Sequence, residues 1–210
     1  ETEQQIQYDK DDELEGFMFD LPEQVIHGDL NDYNVMIQTS SSSSKKIASL
    51  SLEEEEDEII VEEISVIDFG DMVWSKRIFD LAIGLAYFCQ QRDSCHEVLN
   101  IAIGVIKGYQ QTTNEYLHSS QAKNNNHSTS TPPLPFTYSG LSEKEILVLP
   151  ICVGARLCQS LIMSAHSIKI DPENIEYLSI SAAPGWKLLK QWDELHKEGF
   201  FAQLANTVSS

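Results

Sequence analysis

The residues best suited to chemistry lie in two short segments, His27-Gly28-Asp29-Leu30-Asn31-Asp32-Tyr33-Asn34 and Ile67-Asp68-Phe69-Gly70-Asp71. Each sets an aspartate in a polar stretch beside β-branched residues. Each also offers a second side-chain oxygen within a few positions. Phosphoryl transfer needs such a set: one carboxylate orients the acceptor hydroxyl, while a second carboxylate and an amide oxygen hold Mg2+ against nucleotide phosphates. Magnesium takes few protein ligands and completes its shell with water and phosphate, and Asp68 with Asn34 supplies that number. The spacing H-x-D-x-x-x-x-N is a weak filter by itself. An Asp-Phe-Gly downstream, with both segments next to apolar stretches, is a much stronger one.

These segments need elements to position them. Val25-Ile26 lead into the first, and Val35–Ile37 reads as a strand leaving it. Ile64–Ile67 reads as the strand entering the second, with Ile59–Val61 as a possible short strand before it. Between them, residues 39–63 hold five consecutive serines and the acidic run Glu53–Glu58, and read as a solvated low-complexity loop. Past Asp71 the period becomes helical, with Ile78, Leu81, Ala82, Leu85, Ala86 and Cys89 on one face. A second helix is expected from about Cys95 to Leu117, followed by a polar loop at 119–140. Ser142 with Glu145 forms a capping-box signature opening a third helix, which Pro150 is expected to kink or divide. Asp171-Pro172 reads as the start of a short helix. A last helix is expected at Trp186–Lys197, stopped by Gly199. The fold class is therefore α+β and mainly helical, with a short β-hairpin carrying both motifs.

Hydrophobic residues make up 41% of the 210, enough for a real core. The net charge is −19, unevenly spread: Glu1 to Glu63 holds 19 acids and 3 bases, and the remainder 14 acids and 11 bases. Such a balance excludes a phosphate-tracking nucleic-acid binder and disfavours an anionic membrane surface. Nothing resembles a signal peptide, and no unbroken apolar run reaches about 18 residues. The chain reads as cytoplasmic. Its cysteines, Cys89, Cys95, Cys152 and Cys158, show no metal spacing.

The two motifs resemble the catalytic loop and metal-binding segment of protein-kinase-like enzymes. His-Gly-Asp in place of His-Arg-Asp is similar to the aminoglycoside phosphotransferase and choline kinase branch. The strings HGDLNDYNVMI, VIDFGDMVWSKRIFDLAIGLAYF and ENIEYLSISAAPGWKLL resemble the hydroxylysine kinase family, over most of residues 22–196. The resemblance implies a C-terminal kinase lobe at 22–198. Residues 1–21 would be a linker or a remnant of an upstream region, and 199–210 a tail. It implies Asp29 as catalytic base, Asn34 and Asp68 as Mg2+ ligands, His27 as a brace of the catalytic loop, and Asp80 as a helix cap or loop anchor. The partners it implies are a nucleotide, GTP or ATP, and a small amino-alcohol acceptor. The acceptor would be the hydroxyl of 5-hydroxy-L-lysine; choline, ethanolamine, homoserine or an aminoglycoside are alternatives, as is a non-catalytic fragment. From Asn34 to Asp68 is 34 positions, longer than such kinases use. The surplus falls in a loop, where closure cost grows only with the logarithm of length. The nucleotide-clamping lysine and glutamate of the family's N-terminal lobe have no counterpart before His27.

Five further residues are weighed for substrate contact. Asp71 either reaches the acceptor or the metal, or caps the following turn. Trp186, Trp192 and Asp193 either shape a pocket for a cationic substrate or pack the last helix on the core. Arg156, in an apolar helix, needs an acidic partner if buried, and reads first as half of a structural ion pair and second as a substrate contact.

Overall fold

The computed structural model describes residues 18, 20–41, 59–124, 140–180, 182–199 and 201. The Glu53–Glu58 run, residues 1–17 and the tail beyond 201 lie outside them, so the expectations placed there have no structural account.

The molecule is α+β and mainly helical. Its strands are β1 (Glu23–Ile26), β2 (Val35–Ser41), β3 (Ile59–Val66) and β4 (Val73–Lys76). Its helices are α1 (Ile78–Phe88), α2 (Cys95–Asn124), α3 (Glu143–Ile170), α4 (Ile175–Leu178) and α5 (Ala182–Lys197). Short 3-10 turns occupy Asp32–Asn34, Phe69–Asp71 and Pro172–Asn174.

The strands make two antiparallel ribbons rather than the single hairpin expected. β2 pairs with β3, setting Val35 opposite Val66, with an irregularity between Gln38 and Thr39. β1 pairs with β4, setting Ile26 opposite Val73. The pairing is nested: the outer ribbon joins the strands that precede the first motif and follow the second. Both motif loops therefore emerge at the junction of the ribbons, side by side. One backbone bond, Ile67 N–H to Asn34 O at 3.0 Å, ties them there.

Several boundaries move. Residues 39–41 and 62–63, expected in the loop, extend β2 and β3, and the possible strand at Ile59–Val61 forms, continuous with Ile64–Val66. α2 continues past Leu117 to Asn124, into the stretch expected as loop. Pro150 neither divides α3 nor ends it. Proline removes one backbone donor, but burial of the flanking Val148, Leu149 and Val153 in the core holds the helix together. α5 starts at Ala182, with Pro184 in its first turn, where a missing N–H costs nothing.

The core lies where α1, α3 and α5 meet. Ile78 and Leu85 of α1 lie against Leu149, Val153 and Leu157 of α3 and Leu188 and Leu195 of α5, all essentially solvent-free. Each such side chain stabilises the fold by about 1.5–3 kcal/mol. α3 is long and apolar enough to cross a membrane by length and composition. Here its Val148, Val153 and Leu157 face belongs to the shared core. The capping box forms: Ser142 accepts from the Glu145 N–H while Glu145 accepts from the Ser142 N–H. Gly199, at φ 72, ends α5.

Candidate active site

The loop between β1 and β2 is fixed from below by Asp80 in the first turn of α1. Its carboxylate accepts the backbone N–H of His27 at 2.7 Å and of Gly28 at 2.9 Å. Asp80 thus anchors the loop. The next residue, Gly28, sits at φ 82, and a Cβ there would lie 2.4 Å from the backbone oxygen of Asp71. Only glycine meets both conditions, which accounts for His-Gly-Asp at this position.

His27 is buried and joins the two loops. Its Nε2 lies 2.9 Å from the Ile67 carbonyl, and its Nδ1 accepts the Asp29 N–H at 3.3 Å. A carbonyl can only accept, so Nε2 carries the proton and Nδ1 is bare. The ring also lies against Phe69, 5.2 Å between centroids. His27 therefore holds the Asp29 backbone and the residue before Asp68 at once.

Asp29 itself is held from two sides. Its Oδ2 accepts from Asn31 Nδ2 at 2.8 Å and from Asn34 Nδ2 at 3.4 Å. Its Oδ1 accepts from Arg156 Nη2 at 2.9 Å. Asn31 also works through its other side-chain atom, since its Oδ1 caps the Asp32–Asn34 turn by accepting the N–H groups of Tyr33 and Asn34. Sequence reasoning passed over Asn31, although an asparagine before a short helical turn is a recognisable cap signal. It also passed over Tyr87, whose hydroxyl lies 3.3 Å from Arg156 Nη2.

Asn34 is buried, and its amide nitrogen is committed to the Asp29 carbonyl at 2.9 Å. That commitment turns its amide oxygen to the opposite branch. Asp68 follows Ile67 directly, at φ 63, an unusual backbone for a non-glycine residue. An amide oxygen and a carboxylate on adjoining backbones are hard donors of the kind Mg2+ takes, so the residues fit that ion.

A cavity of about 730 Å3 opens beside the loop. Asp71, Ser75, Arg156 and Gln159, with the Gly28 backbone, supply polar lining, and Ile26, Val73, Phe79 and Ile151 much of its apolar wall. The structure therefore brings Asp71 to the site. Trp186, Trp192 and Asp193 do not line this cavity. Trp192 is 5% exposed, donates its indole N–H to the Pro150 carbonyl at 2.9 Å and lies against Phe201. Asp193 pairs with Lys197 one turn away. Trp186, 55% exposed, borders smaller pockets along α5. Cys152 also lines the main cavity, and burial pushes its thiol up to about 11.

The ion pair expected of Arg156 forms, with Asp29, and a second, more deeply buried one forms on Arg77. Arg77 Nε and Nη2 each reach a Glu145 oxygen at 2.7 Å, and Nη2 also reaches the Gly140 carbonyl at 2.9 Å. Burial opposes ionisation of Glu145, yet bonds from Arg77 and Ser142 outweigh it and hold the carboxyl below its ordinary range. The bond to Glu145 raises Arg77, against its own desolvation.

Comparison with known proteins returns one class, kinases. More narrowly, the chain is similar to hydroxylysine kinases: 28% identical to that of Mus musculus over 165 residues, 79% of this chain and 33% of the relative. It is 27% identical to that of Bos taurus over 197 residues, 94% of this chain and 41% of the relative. It is 29% identical to that of Xenopus laevis over 172 residues, 82% of this chain and 35% of the relative. The chain thus spans about a third to two-fifths of the length of these relatives. No family model matches it, and no solved structure does.

Proposed function

We propose that this chain is the catalytic, C-terminal lobe of a kinase-like enzyme that transfers the γ-phosphoryl group of GTP or ATP to the hydroxyl of 5-hydroxy-L-lysine. The observation that carries the proposal is Asp29, presented at the crossing of two loops, with Asn34 and Asp68 beside it. The names of the relatives support both kinase and acceptor.

In this reading Asp29 accepts a hydrogen bond from the acceptor hydroxyl and takes its proton late in transfer. The hydroxyl oxygen forms a bond to the γ-phosphorus as the bond from that phosphorus to the nucleoside diphosphate breaks. Asn31 and Asn34 orient the Asp29 carboxylate, and His27, fixed as its Nε2 tautomer, keeps the two loops in register. Asn34 and Asp68 would hold Mg2+, which supplies charge neutralisation on the phosphates. Asp71, on the cavity wall, faces a cationic end of the acceptor. Around the junction, Met36, Ile64, Phe69 and Trp74 are exposed apolar side chains. Such a concentration suits a surface covered by another lobe.

The test is GTP- and ATP-dependent phosphorylation of 5-hydroxy-L-lysine, by the 210-residue chain and by a form extended upstream. The extended form is expected to turn over, and the chain alone to be inactive or nearly so. A folded extended form with no phosphoryl transfer to this acceptor would overturn the proposal.

A further inference from the structure

Arg156 is under-used where it stands. Nη2 reaches Asp29 Oδ1 and the Tyr87 hydroxyl, and Nη1 reaches Gln159 Oε1 at a long 3.3 Å. Nε has no acceptor. Among the described residues it is the one buried side-chain nitrogen or oxygen without a partner. A buried donor left unmade is costly, and native structures contain few of them. The guanidinium also lies 5.6 Å from the centroid of the Tyr87 ring, and Arg156 and Gln159 both line the main cavity.

Its position is also a conflict for catalysis. Asp29 Oδ2 accepts from both Asn31 and Asn34, so Oδ1 is the oxygen with room for an acceptor hydroxyl, and Arg156 already holds one of its two lone pairs. We propose that Arg156 is the seat of the acceptor's carboxylate, and that in turning to that carboxylate it releases Asp29 Oδ1 for the acceptor's hydroxyl. The proposal rests on the kinase reading above and names the residue that selects acceptors carrying a carboxylate. A carboxylate offers the guanidinium two charge-assisted bonds in place of one. Asp71 on the same cavity wall suits the acceptor's ammonium. An amino alcohol without a carboxylate, such as choline or ethanolamine, offers Arg156 no anion to turn to and leaves the base covered. The anion that draws Arg156 away could instead be a nucleotide phosphate, and the test separates the two.

The experiment uses the full-length protein, in wild-type and Arg156→Gln forms, with Arg156→Lys as a charge-retaining control. Calorimetry compares 5-hydroxy-L-lysine with its carboxamide, which keeps the hydroxyl and both ammonium groups and lacks only the carboxylate charge. Wild type should bind the acid about 10- to 100-fold more tightly than the amide, the range of a charge-assisted contact. Arg156→Gln should erase that preference and Arg156→Lys recover part of it, with Mg2+–GTP affinity unchanged in both. Equal binding of acid and amide by wild type, or binding of neither, would overturn the inference; so would a preference that survives in Arg156→Gln. Loss of nucleotide affinity in Arg156→Gln with the preference intact would assign the residue to phosphate instead. Acid-selective binding without phosphoryl transfer would leave Arg156 a carboxylate site and defeat the kinase reading alone.

Discussion

Arg77 and Arg156 each reach a carboxylate far away in sequence, yet the two pairs are built differently. Arg77 and Glu145 are 4% and 0% exposed; two bonds of 2.7 Å close the fork, and Ser142 and Gly140 add further bonds to it. Arg156 and Asp29 are 22% and 29% exposed, share one bond, and leave a buried N–H with no acceptor. A buried pair with every donor matched is a fixture of the fold, since any movement exposes an unpaired charge to a low dielectric. A half-made pair on a cavity wall can change partners at low cost. The same chemistry thus serves as a clamp at one end of α3 and as a half-made pair on a cavity wall near its middle.

The largest effect should come from breaking the clamp. Glu145→Gln leaves Arg77 charged and buried, and should lower stability by about 3–5 kcal/mol. Denaturant titration of the full-length protein reads this directly. Replacing both partners, Arg77→Met with Glu145→Leu, should recover much of the loss, apart from about 1 kcal/mol for the capping box. If the single and double replacements cost the same, the pair is not the clamp described here.

On the site side, Asp68→Asn should weaken Mg2+–nucleotide binding by about 100-fold or more, because even the loss of an outer-shell partner typically costs about 10–100-fold. Nucleotide titration with and without Mg2+ would show it, with Mg2+-free affinity unaltered. Gly28→Ala should cost about 1–3 kcal/mol, since alanine at φ 82 is strained and its methyl meets the Asp71 carbonyl. The change should also lower turnover, because Gly28 precedes Asp29.

A smaller effect concerns pH. The Glu145 carboxyl is held below its ordinary value of 4.5, so the unfolded chain takes up this proton first as pH falls. The stability it lends is fully present above 4.5 and lost as pH drops through its folded value. Acid unfolding of Glu145→Gln should therefore be flatter with pH below 4.5 than that of wild type. Parallel curves would remove this carboxylate from the acid response.

The parts of this division that were legible in the sequence depend on local patterns. The α1 face from Ile78 to Cys89, the Ser142–Glu145 capping box and the Gly199 stop are fixed by neighbours within a few residues. That Asn34 and the residue before Asp68 adjoin was foreshadowed by motif spacing, which the proposed reaction would require. What was missed is non-local. β4 is four residues long and exists because β1, about 50 positions earlier, pairs with it. Sequence gives Arg77 and Arg156 the need of a partner but does not choose it, and the partners lie 68 and 127 positions away. The tryptophans of α5 were ambiguous for the same reason: an aromatic side chain suits a pocket or a core, and only packing distinguishes Trp192 from Trp186.

In the proposed reaction Asp29 does the chemistry, while Glu145 holds structure. The most direct measurement substitutes each in turn in the full-length protein, Asp29→Asn and Glu145→Gln, and follows phosphoryl transfer to 5-hydroxy-L-lysine together with denaturant stability. Asp29→Asn should lower turnover by about 10^2–10^4-fold, with nucleotide binding and stability nearly intact. Glu145→Gln should do the reverse, lowering stability while its folded fraction keeps turning over. An Asp29→Asn protein that retains most of its turnover would contradict the account.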